Sequence, residues 1–386
     1  MPNLIRVLVV DDSAFMRGAL KRSIEADPRF KVIDTASDGK QAVEKALRLK
    51  PDVVTLDVEM PVMNGIEALK AIVSRSTIPV VMVSAVTDSG AKITMDALEL
   101  GAVDFIPKSK GAELIHEKLL AAVAANPARR GFAMRQQAKT LAKAQEEAQA
   151  LAKAKFQPPA VSPSGLRARV QPQRRPGEEL QGRPSLAAPA VRRDISYTRV
   201  PAKIVVIGSS TGGPQALQEV IKQLPPNLPV PVVIAQHMPA QFTQALAKRL
   251  DEICPPKVVE ARDGEPLVNG TVYIGPGGMH LRVTQNELKV AEGKGESLYK
   301  PSVDVLAESA LAAFGRNVLG VMLTGMGNDG ALEFTKLHKA GAYNVVQDQA
   351  TCVVYGMPRA VAEAGAADEI LPVERIGARI RSAFGM

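Results

Sequence analysis

The segment IGSSTGG at 207–213 follows an apolar, β-branched run and contains residue types that could carry chemistry. Gly208, Ser210 and Gly212 form a G-x-S-x-G pattern, the sharp strand-to-helix turn on which many hydrolases present a nucleophilic serine. Glycine-rich turns after a strand also bind the phosphates of nucleotides. Taken alone, the segment indicates either a nucleophile or a phosphate site, and a purely structural turn is about as frequent as a nucleophile.

Both nucleotide-binding interpretations are weakened by missing residues. A dinucleotide fingerprint, G-x-G-x-x-G, needs a middle glycine that lets the backbone approach a pyrophosphate, and Ser210 stands at that position. No acidic partner for a ribose follows at the expected distance, because 228–234 read LPVPVVI. A Walker-type phosphate loop needs Gly-Lys-Ser/Thr, and no lysine follows Gly213.

A nucleophilic serine needs a base that takes its proton, and the chain has 4 histidines. His116 and His338 fall in helical stretches and are interpreted as surface residues. His280 follows a glycine-rich turn, whereas His237 ends the strand that comes next after the serine turn. Neighbouring parallel strands place their carboxyl ends side by side, so His237 is the predicted base.

Asp329 is the predicted acid that orients His237. It lies in LTGMGNDGA, where another predicted strand ends and a helix begins. The chain order is then Ser-His-Asp, and triads are defined by geometry rather than by order. Backbone N–H groups of 325–327, or those at the helix start after Ser210, could bind an oxyanion. A histidine and an aspartate at strand ends of one domain favour catalysis over a structural turn.

A second chemical cluster is predicted in the first part of the chain. Asp11 and Asp12 end the first strand, Asp57 ends the third, and Ser84 and Lys108 end the fourth and fifth. Three crowded carboxylates repel one another unless a hard cation such as Mg²⁺ joins them. A carboxylate, a metal, a hydroxyl and a lysine suit phosphoryl transfer onto an aspartate. Separate helix caps explain one such aspartate but not the whole set.

Both clusters require folds that bring strand ends together. Strand and helix patterns alternate five times before residue 126, and a second alternating series begins at Lys203. Such alternation indicates α/β folds in which ligands bind outside the carboxyl ends of parallel strands. The predicted architecture is two doubly wound parallel-sheet domains, a flavodoxin-like one at 1–126 and a Rossmann-like one at 200–386.

The segment 127–199 is predicted to be a linker, helical at first and then disordered, because it is rich in Ala, Gln, Lys, Arg and Pro without an apolar stripe. Residues 128–200 carry 15 Lys or Arg and 5 Asp or Glu, an excess of +10 against +8 for the whole chain. The basic excess therefore belongs to the linker and not to a folded face, and it has few aromatic residues. This pattern argues against nucleic-acid binding.

Other features predict a cytoplasmic protein without membrane insertion. No apolar run approaches the ~18 residues of a transmembrane helix, and the first residues do not resemble a signal peptide. The two cysteines, Cys254 and Cys352, form no C-x-x-C pair, which is typical of a reducing compartment.

About residues 4–125 resemble the receiver domains of two-component response regulators. The motifs are VVDDS, LDVEMPVMNG, MVSA and DFIPK. The resemblance implies that Asp57 is the phosphoacceptor and that Asp11 and Asp12 bind Mg²⁺ with it. It further implies a switch aromatic and two phosphoryl contacts: Phe105, Ser84 and Lys108. Receiver domains usually have Lys-Pro here, whereas in this chain Pro107 precedes Lys108, which changes the local geometry.

About residues 203–375 resemble the protein-glutamate methylesterase (CheB) family of bacterial chemotaxis. The motifs are IGSSTGGP, QHMP, GPGGMHL, KPSVDVL, LTGMGNDGA and VVYGMPRAV, in the order of the family. By this resemblance Ser210 is the nucleophile, His237 the base and Asp329 the orienting acid. The remaining implied site residues are the oxyanion-hole residue Met326 and the pocket residues Thr211 and His280.

The family hydrolyses γ-glutamyl methyl esters on chemoreceptor helices, releasing methanol, and deamidates certain receptor glutamines. The implied partners are the methylated cytoplasmic helices of chemoreceptors and a chemotaxis histidine kinase that phosphorylates the receiver domain and activates the enzyme. No cofactor is expected in the catalytic domain. The linker is longer than is usual in the family. Two alternatives stay open: a response regulator with a non-catalytic binding domain, and a serine esterase for small esters.

Overall fold

The structure, a computed structural model, describes residues 4–85, 87–125, 199–293 and 299–386. Apart from Arg199, the predicted linker 127–199 lies outside these ranges, and its helical and disordered parts stay a prediction. So do the exact domain boundaries.

The first domain is a parallel sheet flanked by helices. Its strands are β1 (Ile5–Val10), β2 (Phe30–Ala36), β3 (Val53–Asp57), β4 (Val80–Ser84) and β5 (Asp104–Pro107). Its helices are α1 (Ala14–Glu25), α2 (Gly39–Leu49), α3 (Gly65–Val73), α4 (Asp88–Glu99) and α5 (Gly111–Ala124). The strand order is β2-β1-β3-β4-β5 and each neighbouring pair is parallel, which confirms the predicted flavodoxin-like arrangement.

The local sequence explains these elements. The runs VVTLD in β3 and VVMVS in β4 are buried along their whole length, as expected of strands that have helices on both faces. Helix starts are fixed by short polar side chains: Asp38 caps α2 and Thr87 caps α4. Asn64 and Glu67 form a reciprocal capping box at α3.

The second domain has a larger parallel sheet. Its strands are β6 (Ile204–Ser209), β7 (Val232–Gln236), β8 (Lys257–Glu260), β9 (Thr271–Ile274), β10 (His280–Val283), β11 (Leu288–Ala291), β12 (Val318–Met322), β13 (Tyr343–Gln347) and β14 (Glu369–Leu371). Its helices are α6 (Gly213–Ile221), α7 (Ala240–Ile253), α8 (Val303–Phe314), α9 (Ala331–Lys339), α10 (Met357–Glu363) and α11 (Val373–Ala383).

The order of the main sheet is β14-β13-β12-β6-β7-β9-β8, and β10 and β11 form a separate antiparallel pair. All neighbouring strands of the main sheet are parallel, so the predicted doubly wound α/β class is confirmed for this domain too. The alternation in the sequence did not predict β8, β10, β14, α10 and α11. The three strands have only three or four residues, too few for a periodic signal.

The two domains pack against each other. Helix α4 of the first domain lies on α6 and α7 of the second. Phe105 in β5 and Phe242 in α7 stack in a tilted arrangement with their ring centroids 4.2 Å apart. Val354 of the second domain joins the apolar core of the first, in the cluster that includes Ile106 and Leu119. No helix within the described residues is both long and apolar enough to cross a bilayer.

Candidate active site and phosphoacceptor pocket

The structure brings together the three residues of the predicted triad. Ser210 follows β6, His237 follows β7, and Asp329 lies between β12 and α9. Because β12, β6 and β7 are consecutive in the sheet, the three residues share its carboxyl edge. The backbone joins these strand ends, since His237 N donates to Ser209 O at 3.0 Å and Ser210 N donates to Thr324 O at 3.0 Å.

His237 and Asp329 form a buried hydrogen bond. His237 Nε2 lies 2.7 Å from Asp329 Oδ2, and less than a tenth of either side chain is exposed. Burial works to raise the pKa of Asp329, but the hydrogen bond and charge of His237 outweigh it and hold the pKa at about 2. The carboxylate is therefore ionised at neutral pH, and it orients the imidazole with Nε2 as the donating nitrogen.

The first turn of α8 also holds the Asp329 carboxylate. Ser302 Oγ donates to Oδ1 at 2.9 Å, Val303 N donates to Oδ2 at 2.7 Å, and Asp304 N donates to Oδ1 at 3.1 Å. Donors at a helix N-terminus favour a negative charge, so this arrangement stabilises the ionised form. Burial, together with the charge of Asp329, raises the pKa of Asp304.

Ser210 presents a buried hydroxyl to the same edge. Among the described residues, neither Ser210 Oγ nor His237 Nδ1 has a hydrogen-bond partner, although both are buried. Since Nε2 donates to Asp329, the remaining nitrogen Nδ1 is the acceptor that serine chemistry requires. The site thus has one serine hydroxyl and one unpaired imidazole nitrogen at adjacent strand ends.

The turn 325–327 lies directly against the serine. A Cβ atom on Gly325 would lie 2.9 Å from Ser210 Cβ, so the close approach requires glycine. Gly327 has a φ of 85°, which L-residues with side chains rarely adopt. Met326 N–H donates to no other residue within the described ranges. This turn can therefore direct a backbone donor toward the region around Ser210.

His280 stands at the start of β10 and is buried. Burial and the charges of Arg282 and Lys300 lower its pKa, so the ring is neutral at physiological pH. A Cβ on Gly293 would lie 2.4 Å from the His280 ring, so the backbone just after β11 lies directly against the ring. No hydrogen bond joins His280 to Ser210, His237 or Asp329 in the described part of the chain.

The other two histidines are engaged elsewhere. His116 Nε2 lies 3.2 Å from Ile24 O, and its ring stacks on Phe30. His338 Nδ1 lies 3.3 Å from Asp368 Oδ2. Both are partly exposed, in keeping with their interpretation as surface residues. Each packs against a neighbouring element of its own domain, which a helical pattern alone does not indicate.

The predicted acidic pocket forms at the carboxyl edge of the first sheet. Asp11 and Asp57 are almost fully buried, whereas Asp12 is exposed, and carboxylate oxygens of the three lie within 4.8 Å of one another. Lys108 Nζ lies 2.8 Å from Asp57 Oδ2 and 3.1 Å from Asp11 Oδ2. Despite the altered Pro107-Lys108 sequence, the lysine reaches the pocket. Ser84 is buried at the end of β4 and donates weakly to Ala85 O and Gly90 O.

Charge and burial oppose each other in this pocket. Burial and the neighbouring Asp11 raise the pKa of Asp57, although Lys108 acts in the opposite direction. Burial works to lower the pKa of Lys108, but its contacts with Asp57 and Asp11 outweigh it and the pKa is raised. Asp11 Oδ2 is buried, and Lys108 Nζ at 3.1 Å is the one charged group that the described structure places against it. Three carboxylates that share a single lysine form an all-oxygen donor set that fits a hard divalent cation such as Mg²⁺.

Comparison with known proteins gives the same two parts. Residues 205–380 match the family described as CheB methylesterase, and residues 7–120 match the response regulator receiver domain. A protein-glutamate methylesterase/protein-glutamine glutaminase of Symbiobacterium thermophilum is 42% identical over 99% of this chain and 97% of its own length. A protein of Vibrio cholerae with the same name, numbered 1, is 41% identical over 99% of each chain.

This chain belongs to the CheB methylesterase family. The crystal structure of the CheB methylesterase catalytic domain of Thermotoga maritima is 41% identical, covers 46% of this chain and 97% of that chain, and has a TM-score of 0.45. The first domain is hereafter the receiver domain and the second the catalytic domain.

The receiver domain of this CheB family member touches the serine turn directly. Thr211 Oγ1 donates to Asp104 Oδ2 at 2.5 Å, and Lys118 Nζ donates to the same oxygen at 2.8 Å. All three side chains are buried or nearly so. The predicted pocket residue Thr211 is therefore bonded to the receiver domain. Asp104 begins β5, the strand that also contains Phe105 and that Lys108 directly follows.

A second connection reaches the histidine. The Tyr299 ring stacks on the His237 ring with centroids 4.1 Å apart and planes within 7° of each other. Glu117 lies in the receiver helix α5, and its carboxylate accepts a hydrogen bond from the Tyr299 hydroxyl. Burial and this carboxylate raise the pKa of Tyr299 to about 12. Tyr299 is therefore neutral, and it lies between the imidazole and the receiver domain.

Sequence reasoning missed several residues around the site: Asp104, Glu117, Gln236, Tyr299 and Ser302. Ser302 had a usable signal, since a serine before an apolar run with an acid nearby is typical of a helix start. The others act across domains or between strands, and no local spacing in a single sequence indicates such contacts.

Proposed function

We propose that this chain hydrolyses glutamate methyl esters on chemoreceptors, releasing methanol, and deamidates receptor glutamines, under the control of phosphorylation at Asp57. The observation that carries the proposal is the alignment of Ser210, His237 and Asp329 at the ends of three consecutive strands. The same two activities stand in the names of full-length relatives at 41% and 42% identity.

The first half of the reaction forms an acyl-enzyme. Ser210 Oγ attacks the ester carbonyl carbon while His237 Nδ1 takes the hydroxyl proton, and Asp329 stabilises the resulting imidazolium through Nε2. The proposed donor to the oxyanion of the tetrahedral intermediate is the N–H of Met326, which donates to no other residue within the described ranges. When the intermediate collapses, the C–O bond to the methoxy group breaks, and that oxygen takes the proton from His237 and leaves as methanol.

The second half restores the serine. A water molecule gives a proton to His237 and adds to the acyl carbon, and collapse of this intermediate breaks the bond to Ser210 Oγ, which recovers its proton. The product is the receptor glutamate carboxylate. A glutamine side chain follows the same path with ammonia as the first leaving group. Neutral His280 adds no charge to this site, in keeping with its role as a pocket residue.

The receiver pocket is proposed to accept a phosphoryl group on Asp57 from a chemotaxis histidine kinase. Asp11, Asp12 and Asp57 would hold Mg²⁺, which when bound neutralises charge on phosphoryl oxygens. Lys108 adds a second positive charge at 2.8 Å from Asp57, and Ser84 offers a hydroxyl at the same edge. Asp57 itself is the nucleophile, with one carboxylate oxygen fixed by Val58 N at 2.8 Å.

The described arrangement fits the inactive state. Asp104 binds the residue next to the nucleophile, and Glu117 binds the tyrosine that covers His237. A receptor helix must reach Ser210, and the receiver domain occupies this side of the serine turn. Phosphorylation adds charge and acceptor oxygens beside Lys108, which directly follows the strand that begins with Asp104 and contains Phe105. We infer that the resulting shift of β5 and Phe105 loosens the interface and admits the substrate.

The test is methanol release from methylated receptor, with and without a small-molecule phosphodonor. The wild type should release methanol slowly alone and faster with the donor and Mg²⁺. Ser210→Ala should lose several orders of magnitude in rate with and without the donor. Asp57→Asn should keep the basal rate and lose the response. Full activation of Asp57→Asn would exclude Asp57 as the acceptor, and near-normal turnover by Ser210→Ala would exclude the serine as nucleophile.

The proposed substrate is the methylated cytoplasmic helices of chemoreceptors, and the proposed location is accordingly the cytoplasm. Hydrolysis of small esters without activity on receptor helices would favour the small-ester alternative. Retention on DNA that weakens with salt would favour a binding domain.

A further inference from the structure

Gln236 is a buried amide that connects the serine turn with the histidine. It is the last residue of β7, and it is about 1% exposed. Its Oε1 accepts from Ser209 Oγ at 2.7 Å. Its Nε2 donates to Ser210 O at 3.0 Å and to His237 O at 3.1 Å. One side chain therefore bonds the backbones of both the proposed nucleophile and the proposed base.

The amide has little freedom to move. A Cβ on Gly213 would lie 1.9 Å from Gln236 Oε1, so the start of α6 packs directly on the carboxamide. Ser210 O also accepts from Gly213 N at 2.8 Å, which closes the serine turn around the same group. All three polar atoms that Gln236 binds are satisfied inside the protein, away from water.

This connection matters because the reacting nitrogen of His237 is Nδ1. Nδ1 lies one bond nearer the backbone than Nε2, so its position follows the backbone of residue 237 more closely. Ser210 Oγ is likewise only two bonds from its Cα. The relative placement of the two backbones therefore sets the separation of Ser210 Oγ and His237 Nδ1, and small misplacements of reacting groups are costly in rate.

We propose that Gln236 is a positioning residue for the reaction: its amide fixes the distance between Ser210 and His237 by binding both backbones at once. The inference rests on the proposed function, since it gives Ser210 and His237 their catalytic roles. Gln236 does not touch substrate. It keeps Ser210 Oγ, after β6, and His237 Nδ1, after β7, at the separation that proton transfer requires.

The main test is Gln236→Met, which keeps the chain length and removes the three hydrogen bonds. We expect kcat for methanol release from methylated receptor to fall about 100-fold, with little change in KM. A fluorophosphonate probe should label Ser210 more slowly by a similar factor, because labelling depends on the same proton transfer but not on receptor binding.

The matched control is Asn344→Leu. Asn344 is also a buried amide on this sheet, and its Nδ2 donates to Phe334 O at 2.9 Å and Ala366 O at 2.8 Å, near the opposite edge. Its substitution should lower thermal stability as Gln236→Met does, yet leave kcat and probe labelling near the wild-type values. Equal losses of kcat in Gln236→Met and Asn344→Leu would show that Gln236 has only a structural role, and would overturn the proposal.

Gln236→Glu keeps the proposal testable if the methionine variant does not fold. A buried carboxyl has a raised pKa, and it donates to a backbone carbonyl only when protonated. Its kcat relative to wild type should therefore rise as the pH falls from about 8 to about 6. A ratio independent of pH, or a kcat of Gln236→Met equal to wild type, would contradict the proposal. Ser210→Ala run in parallel separates the two failures: if it is fully active, the proposed function itself is wrong.

Discussion

Loss of the Arg249–Glu99 ion pair should raise the basal activity of the enzyme. Glu99 ends α4 of the receiver domain, and Arg249 lies in α7 of the catalytic domain. Arg249 Nε and one terminal guanidinium nitrogen donate to the two carboxylate oxygens of Glu99 at 3.0 and 2.9 Å. The two residues therefore form a bidentate ion pair across the domain interface. Neither residue belongs to the triad or to the phosphoacceptor pocket, so Arg249→Ala and Glu99→Ala perturb only the closed arrangement.

The expected magnitude follows from the exposure of the pair. A third of the Arg249 side chain and a fifth of the Glu99 side chain are exposed, so solvent screens part of the attraction. A half-buried, bidentate ion pair of this kind stabilises the closed arrangement of the two domains by about 1 kcal/mol. If the closed form dominates without phosphorylation, its destabilisation by that amount raises the open population about fivefold. Basal methanol release should rise by the same factor.

The assay is methanol release from methylated receptor without phosphodonor, with the fully phosphorylated rate as the upper limit. The charge exchange Arg249→Glu with Glu99→Arg should return the basal rate toward wild type. Arg359→Ala is the control, because Arg359 forms an ion pair with Glu363 within α10, inside one domain, and more than half of each side chain is exposed.

Two results would refute the reasoning. An unchanged basal rate in both single variants would show that the interface does not limit access to Ser210. An increase that the double exchange fails to reverse would show that the side chains act by some route other than their mutual contact.

Further predictions concern the site itself. Asp329→Asn should lower kcat by about 10⁴-fold, because an amide no longer selects the reactive tautomer of His237, and methanol release at saturating receptor measures it. The lowered pKa of Asp329 contributes about 2 kcal/mol of stability that is complete above pH 3.8 and declines as the pH falls toward about 2. Urea unfolding of wild type and Asp329→Asn between pH 2 and pH 6 should therefore converge at the acid end, and parallel curves would contradict this. Gly213→Ala should destabilise the catalytic domain by about 1–3 kcal/mol, because its Cβ meets the Gln236 amide, and thermal unfolding detects the loss.

The functional residues at strand ends were predictable from the sequence. In a parallel sheet, the residues that follow neighbouring strands lie close together at one edge. Each of Asp11, Asp57 and Lys108 follows an apolar run, and the sheet order then places them in one pocket. The same logic placed His237 beside Ser210. The fold class needed only the alternation of strand and helix patterns.

Contacts that depend on packing between distant elements were not predictable. Nothing near Thr211 in the sequence indicates a bond to Asp104, since 107 positions separate the two residues. The choice of Nε2 for Asp329 depends on the position of α8 relative to the His237 ring. In the sequence, Gln236 is an ordinary polar residue at the end of a strand. Only the fold shows that its amide binds the backbones of both Ser210 and His237.

The hydrogen bond between Thr211 and Asp104 limits how freely the two domains can be recombined. Receiver folds are widely shared modules, but here the side chain next to the catalytic serine finds its partner in the other module. A receiver domain with another residue at the position of Asp104 would leave Thr211 without its partner, and the interface would not close. Replacement of the receiver domain by one from an unrelated regulator would therefore yield an enzyme that is permanently active, rather than one that is permanently silent.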